Sequence, residues 1–179
     1  MLFRHLYTAI VVAQLAFPSW ALVATPIDQR SAQEVVEQLQ LVPNVEKGYY
    51  IQTFQDPVTI ANRSLSTAIY YLLEGTAGQS IWHRLDAAEV WHFYAGAPLT
   101  LSLSHNDGAP VQKQVLGPDV FSDQSPQVVI PAGTWQSAHS LGSWTLVGTT
   151  VAPGFVEGGS ELAEPGWAPA GNCSSSAAG

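Results

Sequence analysis

The run Trp82-His83-Arg84-Leu85-Asp86-Ala87-Ala88-Glu89-Val90-Trp91-His92-Phe93-Tyr94-Ala95-Gly96 constrains the chain most. It is apolar and strand-like, lies after Gly78 and ends on Gly96, yet carries two His, a Glu, an Arg and an Asp. Residues two apart on a strand face the same side. Glu89, Trp91 and Phe93 therefore share one face, and Val90, His92 and Tyr94 the other. On the preceding segment His83 shares a face with Ile81 and Leu85. If Glu89 points inward, Trp91 lines the same cavity. His92 then points into the opposite layer and reads as a structural histidine.

The rest of the chain repeats the short-strand theme. Strands are predicted over residues 49–54, 65–73, 80–85, 89–94, 99–104, 111–116, 127–130, 135–139 and 144–151. Gly75 and Gly78 close the second of these with a turn, and Asn106-Asp107-Gly108 marks a hairpin. Such spacing describes an all-β sandwich or jelly roll. One helix precedes the strands, over 31–41. Ser31 and Glu34 form a capping box, Val35, Val36 and Leu39 make its apolar face with Gln40 beside them, and Pro43 ends it. The 179 residues suffice for one domain with a proper core, and the 12 Pro and 15 Gly suit a turn-rich β fold. There is no internal repeat.

Residues 1–24 read as a secretory signal peptide: Arg4 and His5, an apolar stretch over 6–17, Pro18, then small residues for cleavage near Ala21 or Ala24. The domain is expected over 31–163, followed by an Ala-, Gly-, Ser- and Pro-rich tail over 164–179 expected to be disordered. Asn62-Arg63-Ser64 and Asn172-Cys173-Ser174 are N-glycosylation sequons, which fits a secreted protein or one held in the secretory pathway. Cys173 is the single cysteine, so no internal disulfide forms. The formal net charge of −8 and the lack of a basic patch argue against nucleic acid, and against a membrane once the leader is removed.

The titratable residues define the chemistry. An imidazole is suited to take a proton next to a carbonyl near neutral pH, so His83 is the candidate general base, with Glu89 to orient it. A phenol suits reprotonation of an enolate, and Tyr49, Tyr50 and Tyr70 are the candidates, though any single one of them reads more readily as barrel core. Trp82, Trp91 and Trp135 are expected to shape an apolar pocket.

These motifs resemble a known family. Gly48-Tyr49-Tyr50, Arg63-Ser64, residues 67–73, Trp82-His83-Arg84, Asp86, residues 89–96, Leu116-Gly117-Pro118, Pro131-Ala132-Gly133-Thr134-Trp135-Gln136, residues 144–148 and residues 151–155 are similar to a small cupin family of largely uncharacterised function. That family is structurally related to the dTDP-sugar epimerases of the RmlC type. The resemblance spans about residues 32–163. It implies a double-stranded β-helix, commonly a homodimer, with one pocket per barrel. In the related epimerases a histidine equivalent to His83 abstracts the proton without a metal. Their acidic residue, Gly and aromatics on an early strand look like Glu46, Gly48, Tyr50 and Phe54.

Against metal-binding cupins, His83 and Glu89 occupy ligand positions, but Leu85 and Gln136 stand where two further His are expected. Both are normal for the small family. The resemblance therefore implies no cofactor. His83, Glu89 and Gln136 would offer a divalent ion only a weak site, since an amide oxygen is a poorer ligand than imidazole. The chain departs from its relatives at Asn44-Val45-Glu46-Lys47-Gly48, where His-Pro-Glu-Gly-Gly is usual, and at Gln52, where a carboxylate is usual. Lys47, Arg63 and Arg84 are the only basic candidates for a nucleotide diphosphate.

The expected function is a metal-independent isomerase, epimerase or cyclase that moves a proton on a small carbonyl compound, sugar-like or from secondary metabolism. Its catalytic residues would be His83, Glu89, Tyr50 and Tyr70. Glu46, Arg63, Trp82, Arg84, Trp91, Trp135 and Gln136 would bind the substrate. A non-catalytic sugar- or small-molecule-binding cupin is one alternative, and a metal-dependent oxygenase or decarboxylase, disfavoured by Leu85, is the other.

Overall fold

The computed structural model describes residues 25–171. The expected signal segment, Asn172 and Cys173 lie outside the described residues. In chain order the elements are α1 (Ala32–Leu39), then β1 (Val42–Pro43), β2 (Tyr49–Gln55), β3 (Thr59–Ile60), β4 (Arg63–Ser64), β5 (Thr67–Glu74), β6 (His83–Leu85) and β7 (Ala88–Gly96). There follow β8 (Leu99–Ser104), β9 (Gln112–Leu116), β10 (Gln124–Ser125), β11 (Gln127–Ile130), β12 (Trp135–Ser140), β13 (Trp144–Ala152) and β14 (Ser160–Leu162).

Two six-stranded sheets face each other. One has the order β1-β2-β5-β13-β7-β11, the other β10-β9-β8-β12-β6-β14. The chain crosses between them repeatedly: β5 lies in the first, β6 in the second, β7 in the first, β8 to β10 in the second, and so on to β14. That winding is a double-stranded β-helix, the cupin jelly roll. Short β3 and β4 pair only with each other.

Leu73, Leu99, Leu101, Leu116, Ile130 and Val147 fill one end of the barrel and are almost wholly buried. The outer face of the first sheet is also covered. There Val35 and Val36 of α1 pack with Leu72, Ala95, Trp144 and Leu146. Burying each valine contributes about 1.5–3 kcal/mol. Ser31 caps the helix through the full capping box. The helix ends at Leu39, short of the expected Leu41. Gln40 turns left-handed at φ 57°, and its N–H returns to the carbonyls of Val36 and Glu37, which lets Leu41 drop into the core.

The nine expected strands are all present, with ends shifted by up to three residues. The sequence reading misses β1, β3, β4, β10 and β14, which are two or three residues long and carry no alternation to read. Asn106-Asp107-Gly108 does lie in a hairpin, between β8 and β9. The paired register stops at Leu103 and Gln112, so the loop is longer than a tight two-residue turn. Residues 164–171 pack back on the barrel. Trp167 stacks on Trp135 with ring centroids 4.3 Å apart and meets Trp82 edge-on at 6.2 Å. The N–H of Ala170 donates to Asn106 Oδ1 at 2.8 Å.

Candidate functional site

At the end of the barrel opposite the apolar core, the two sheets enclose a cavity of about 630 Å³. That volume suits a ligand of monosaccharide or small-aromatic size. His83, Glu89, Trp91, Tyr71 and Glu46 line its interior. Tyr50 and Phe155, 37% and 43% exposed, stand at its mouth. Strand register places the inner groups. His83 of β6 sits between Gln136 of β12 and Leu162 of β14. Glu89 of β7 sits between Val151 of β13 and Ile130 of β11. His92, two-facedness permitting only one direction, lies outside the cavity lining, as the alternation predicts.

A buried polar chain supports Glu89. Trp91 Nε1 donates to Gln136 Oε1 at 3.1 Å, and Gln136 Nε2 donates to Glu89 Oε2 at 2.7 Å. The indole can only donate, so it fixes the amide's orientation and hence the amide's donation to the carboxylate. All three side chains are at least nine-tenths buried. Glu89 is thereby held in place from behind, not by His83.

His83 has a different partner. Its Nδ1 lies 3.4 Å from Glu46 Oε2 and 3.3 Å from the Ile81 carbonyl. Glu46 is carried there by the turn between β1 and β2. Lys47 and Gly48 take φ of +80° and +68°, and the Ile81 N–H donates to the Glu46 carbonyl at 3.1 Å, tying the turn to the entry of β6. A Cβ at Gly48 would stand 2.3 Å from the Leu72 carbonyl oxygen, so glycine is required. Burial pushes the Glu46 carboxyl above the usual carboxylate range; the Glu89 charge adds to this and His83 opposes it. Tyr71 donates to the Lys47 carbonyl at 3.1 Å. Burial first, then the charges of Glu46 and Glu89, push its phenol up, so it stays protonated.

Several expected site residues stand elsewhere. Tyr70 lies on the outer face of β5, edge-on to Tyr94 at 5.8 Å and against the α1 cluster; the tyrosine facing the cavity is its neighbour Tyr71. Trp82 and Arg84 flank the inward-facing His83, and Trp135 precedes the inward-facing Gln136, so alternation turns all three outward. There Arg84 lies over the Trp135 ring at 4.9 Å and pairs with Glu161 at 2.6 Å. Arg63 is also outside the cavity lining. It grips Asp86 through both terminal nitrogens, at 2.9 and 2.8 Å, while its Nε donates to the Gly154 carbonyl at 2.6 Å. Asn62 is exposed at the turn joining β3 and β4, with φ 63°.

The donor set does not fit a metal. Leu85 contributes no ligand atom, and both ends of the Gln136 amide are committed to Trp91 and Glu89. Among the described residues, no three His, Cys, Asp or Glu side chains come together as a ligand group.

Comparison with known proteins agrees with this fold. Residues 33–163 match the family described as Cupin superfamily (DUF985). A crystal structure of a Shewanella oneidensis protein is similar, with 30% identity and a TM-score of 0.70, over 74% of this chain and 84% of that one. A hypothetical protein from Leishmania major is similar at 26% identity and a TM-score of 0.68, over 74% and 86% of the two chains. Oxalate decarboxylase from Bacillus subtilis shares the fold at 15% identity and a TM-score of 0.50, over 69% of this chain and 30% of that enzyme. No curated protein matches the sequence. With the family match covering most of its length, the chain belongs to the DUF985 family of the cupin superfamily.

Proposed function

We propose that the protein is an isomerase or epimerase that works by proton transfer on a small carbonyl compound, without a metal. The observation that carries this reading is the contact of the buried His83 with Glu46 inside the cavity at the open end of the barrel. His83 takes the proton beside the carbonyl, leaving an imidazolium and an enolate. Glu46, 3.4 Å away, stabilises the imidazolium and holds the ring's orientation. The imidazolium then returns the proton to the enolate at the neighbouring position, so His83 serves as base and then as acid and no net charge or electron is lost. Tyr71 keeps its proton and its hydrogen bond to the Lys47 carbonyl, and packs against the substrate. Glu89, fixed by Gln136, binds the substrate. Sequence alone puts Glu89 beside the base, with Tyr50 or Tyr70 as the acid; the contact of Glu46 with His83 favours Glu46 as the partner, and the outward facing of Tyr70 disfavours it as the acid.

The test is solvent-proton wash-in. A panel of ketoses, aldoses and aromatic ketones in deuterated buffer is followed by NMR. Exchange beside the carbonyl of at least one compound is expected, and His83→Ala should abolish it. Exchange that persists in His83→Ala, or a panel in which nothing exchanges while ligands still bind, would overturn the reading in favour of a binding cupin.

A further inference from the structure

Three carboxylates, Glu46, Glu89 and Glu157, line the cavity, and no Lys or Arg does. The nearby cations are engaged elsewhere. Lys47 Nζ donates to the carbonyls of Ala77 and Gln79 at 2.9 and 2.7 Å. Arg63 is held by Asp86 and Gly154, and Arg84 by Glu161. His83 is the one side chain of the lining that can become positive.

Glu89 adds an independent observation. It is 6% exposed and lines the cavity. Its Oε2 accepts from Gln136, while its Oε1 has no hydrogen-bond partner among the described residues. That oxygen is open to the cavity, so a donor arriving there can pair with it directly, on a carboxylate whose other oxygen is already held. Tyr50 and Phe155 place aromatic surface at the mouth, and such ring faces attract ammonium groups. A phosphate or carboxylate on the ligand would instead meet acidic side chains and no Lys or Arg.

We infer that the substrate is cationic: a small carbonyl-bearing compound whose protonated amine is bound by Glu89 Oε1, with its skeleton against Trp91 and Tyr71. This rests on the proton-transfer reading for its chemistry, and it deepens it. An ammonium beside the carbonyl stabilises the developing enolate by charge. The same logic excludes a nucleotide diphosphate.

The test uses probes that cannot react: benzylamine, benzyl alcohol and benzyl phosphate, at matched ionic strength. The readout is the indole N–H resonance of Trp91, which is two hydrogen bonds from Glu89. Benzylamine should bind about tenfold more tightly than benzyl alcohol, with benzyl phosphate weakest. Glu89→Gln should remove most of that preference and leave the alcohol within about twofold. Glu157→Gln, at an exposed position that folding does not depend on, should remove a smaller part. The inference is overturned by phosphate binding as tight as the amine, by an amine preference that survives Glu89→Gln, or by no displacement of the Trp91 signal by benzylamine up to its solubility. Failure of deuterium wash-in with the amine preference intact would count against the proton-transfer reading alone.

Discussion

Glu46 and Glu89 share one cavity but are held in different ways. Glu89 is braced by an amide whose orientation an indole fixes, so Gln136→Leu strands both the Trp91 N–H and a Glu89 oxygen. A loss of about 2–4 kcal/mol in stability is expected, read as a lower urea midpoint at unchanged slope. Glu46 is raised by burial. In the window between the ordinary carboxylate value and its raised one, the folded state binds more protons than the unfolded state. Stability therefore falls as pH rises through that window. Glu46→Gln should flatten this fall and leave the protein more stable near neutrality, while slowing exchange by removing the partner of His83. Thermal melts across the acid-to-neutral range check the first part; a variant with an unchanged pH slope would contradict it.

The elements explain what was legible in the sequence and what was not. The inward set of β7, Glu89 and Trp91, follows from alternation alone, because His92 and Tyr94 on the other face are only partly covered. Alternation fails on β5. There Tyr71 and Leu73 fill the barrel while Tyr70 and Leu72 pack on the α1 side. Both faces are apolar, so the tyrosine of the cavity cannot be told from its neighbour by pattern. The outward facing of Trp82, Arg84 and Trp135 was legible once His83 and Gln136 were set inward. Glu46 as the partner of His83 was not, since it depends on the β1–β2 turn of the first sheet reaching across to the entry of β6 in the second. Gly48→Ala tests that turn. With φ at +68° and the Leu72 carbonyl in the way, it should cost about 2 kcal/mol and displace Glu46 from His83. Ser31→Ala should weaken α1 by about 1 kcal/mol, visible in thermal melts.

At the scale of the whole molecule, the barrel divides into a packed end and an open one. A loop, residues 153–159, supplies Phe155, Val156 and Glu157 to the wall of the open end. Arg63 clasps it by holding the Gly154 carbonyl and the carboxylate of Asp86, whose N–H in turn donates to the Gly159 carbonyl at 2.8 Å. The Arg63 hydrogen bonds hold the Asp86 carboxyl below the usual carboxylate range, so the clasp weakens as pH falls through that lowered value. Arg63→Met should speed amide exchange at Asp86 and Gly154 with little change at Leu72 in the core. The central claim is that His83 moves a proton in this cavity without a metal. The most direct measurement is deuterium wash-in, with one carbonyl compound that the protein processes, for chelator-treated wild type beside His83→Gln. The account predicts full exchange in the chelated wild type and a loss of about 100-fold or more in the variant. Exchange that vanishes on chelation and returns with a divalent ion, or that survives His83→Gln, would contradict it.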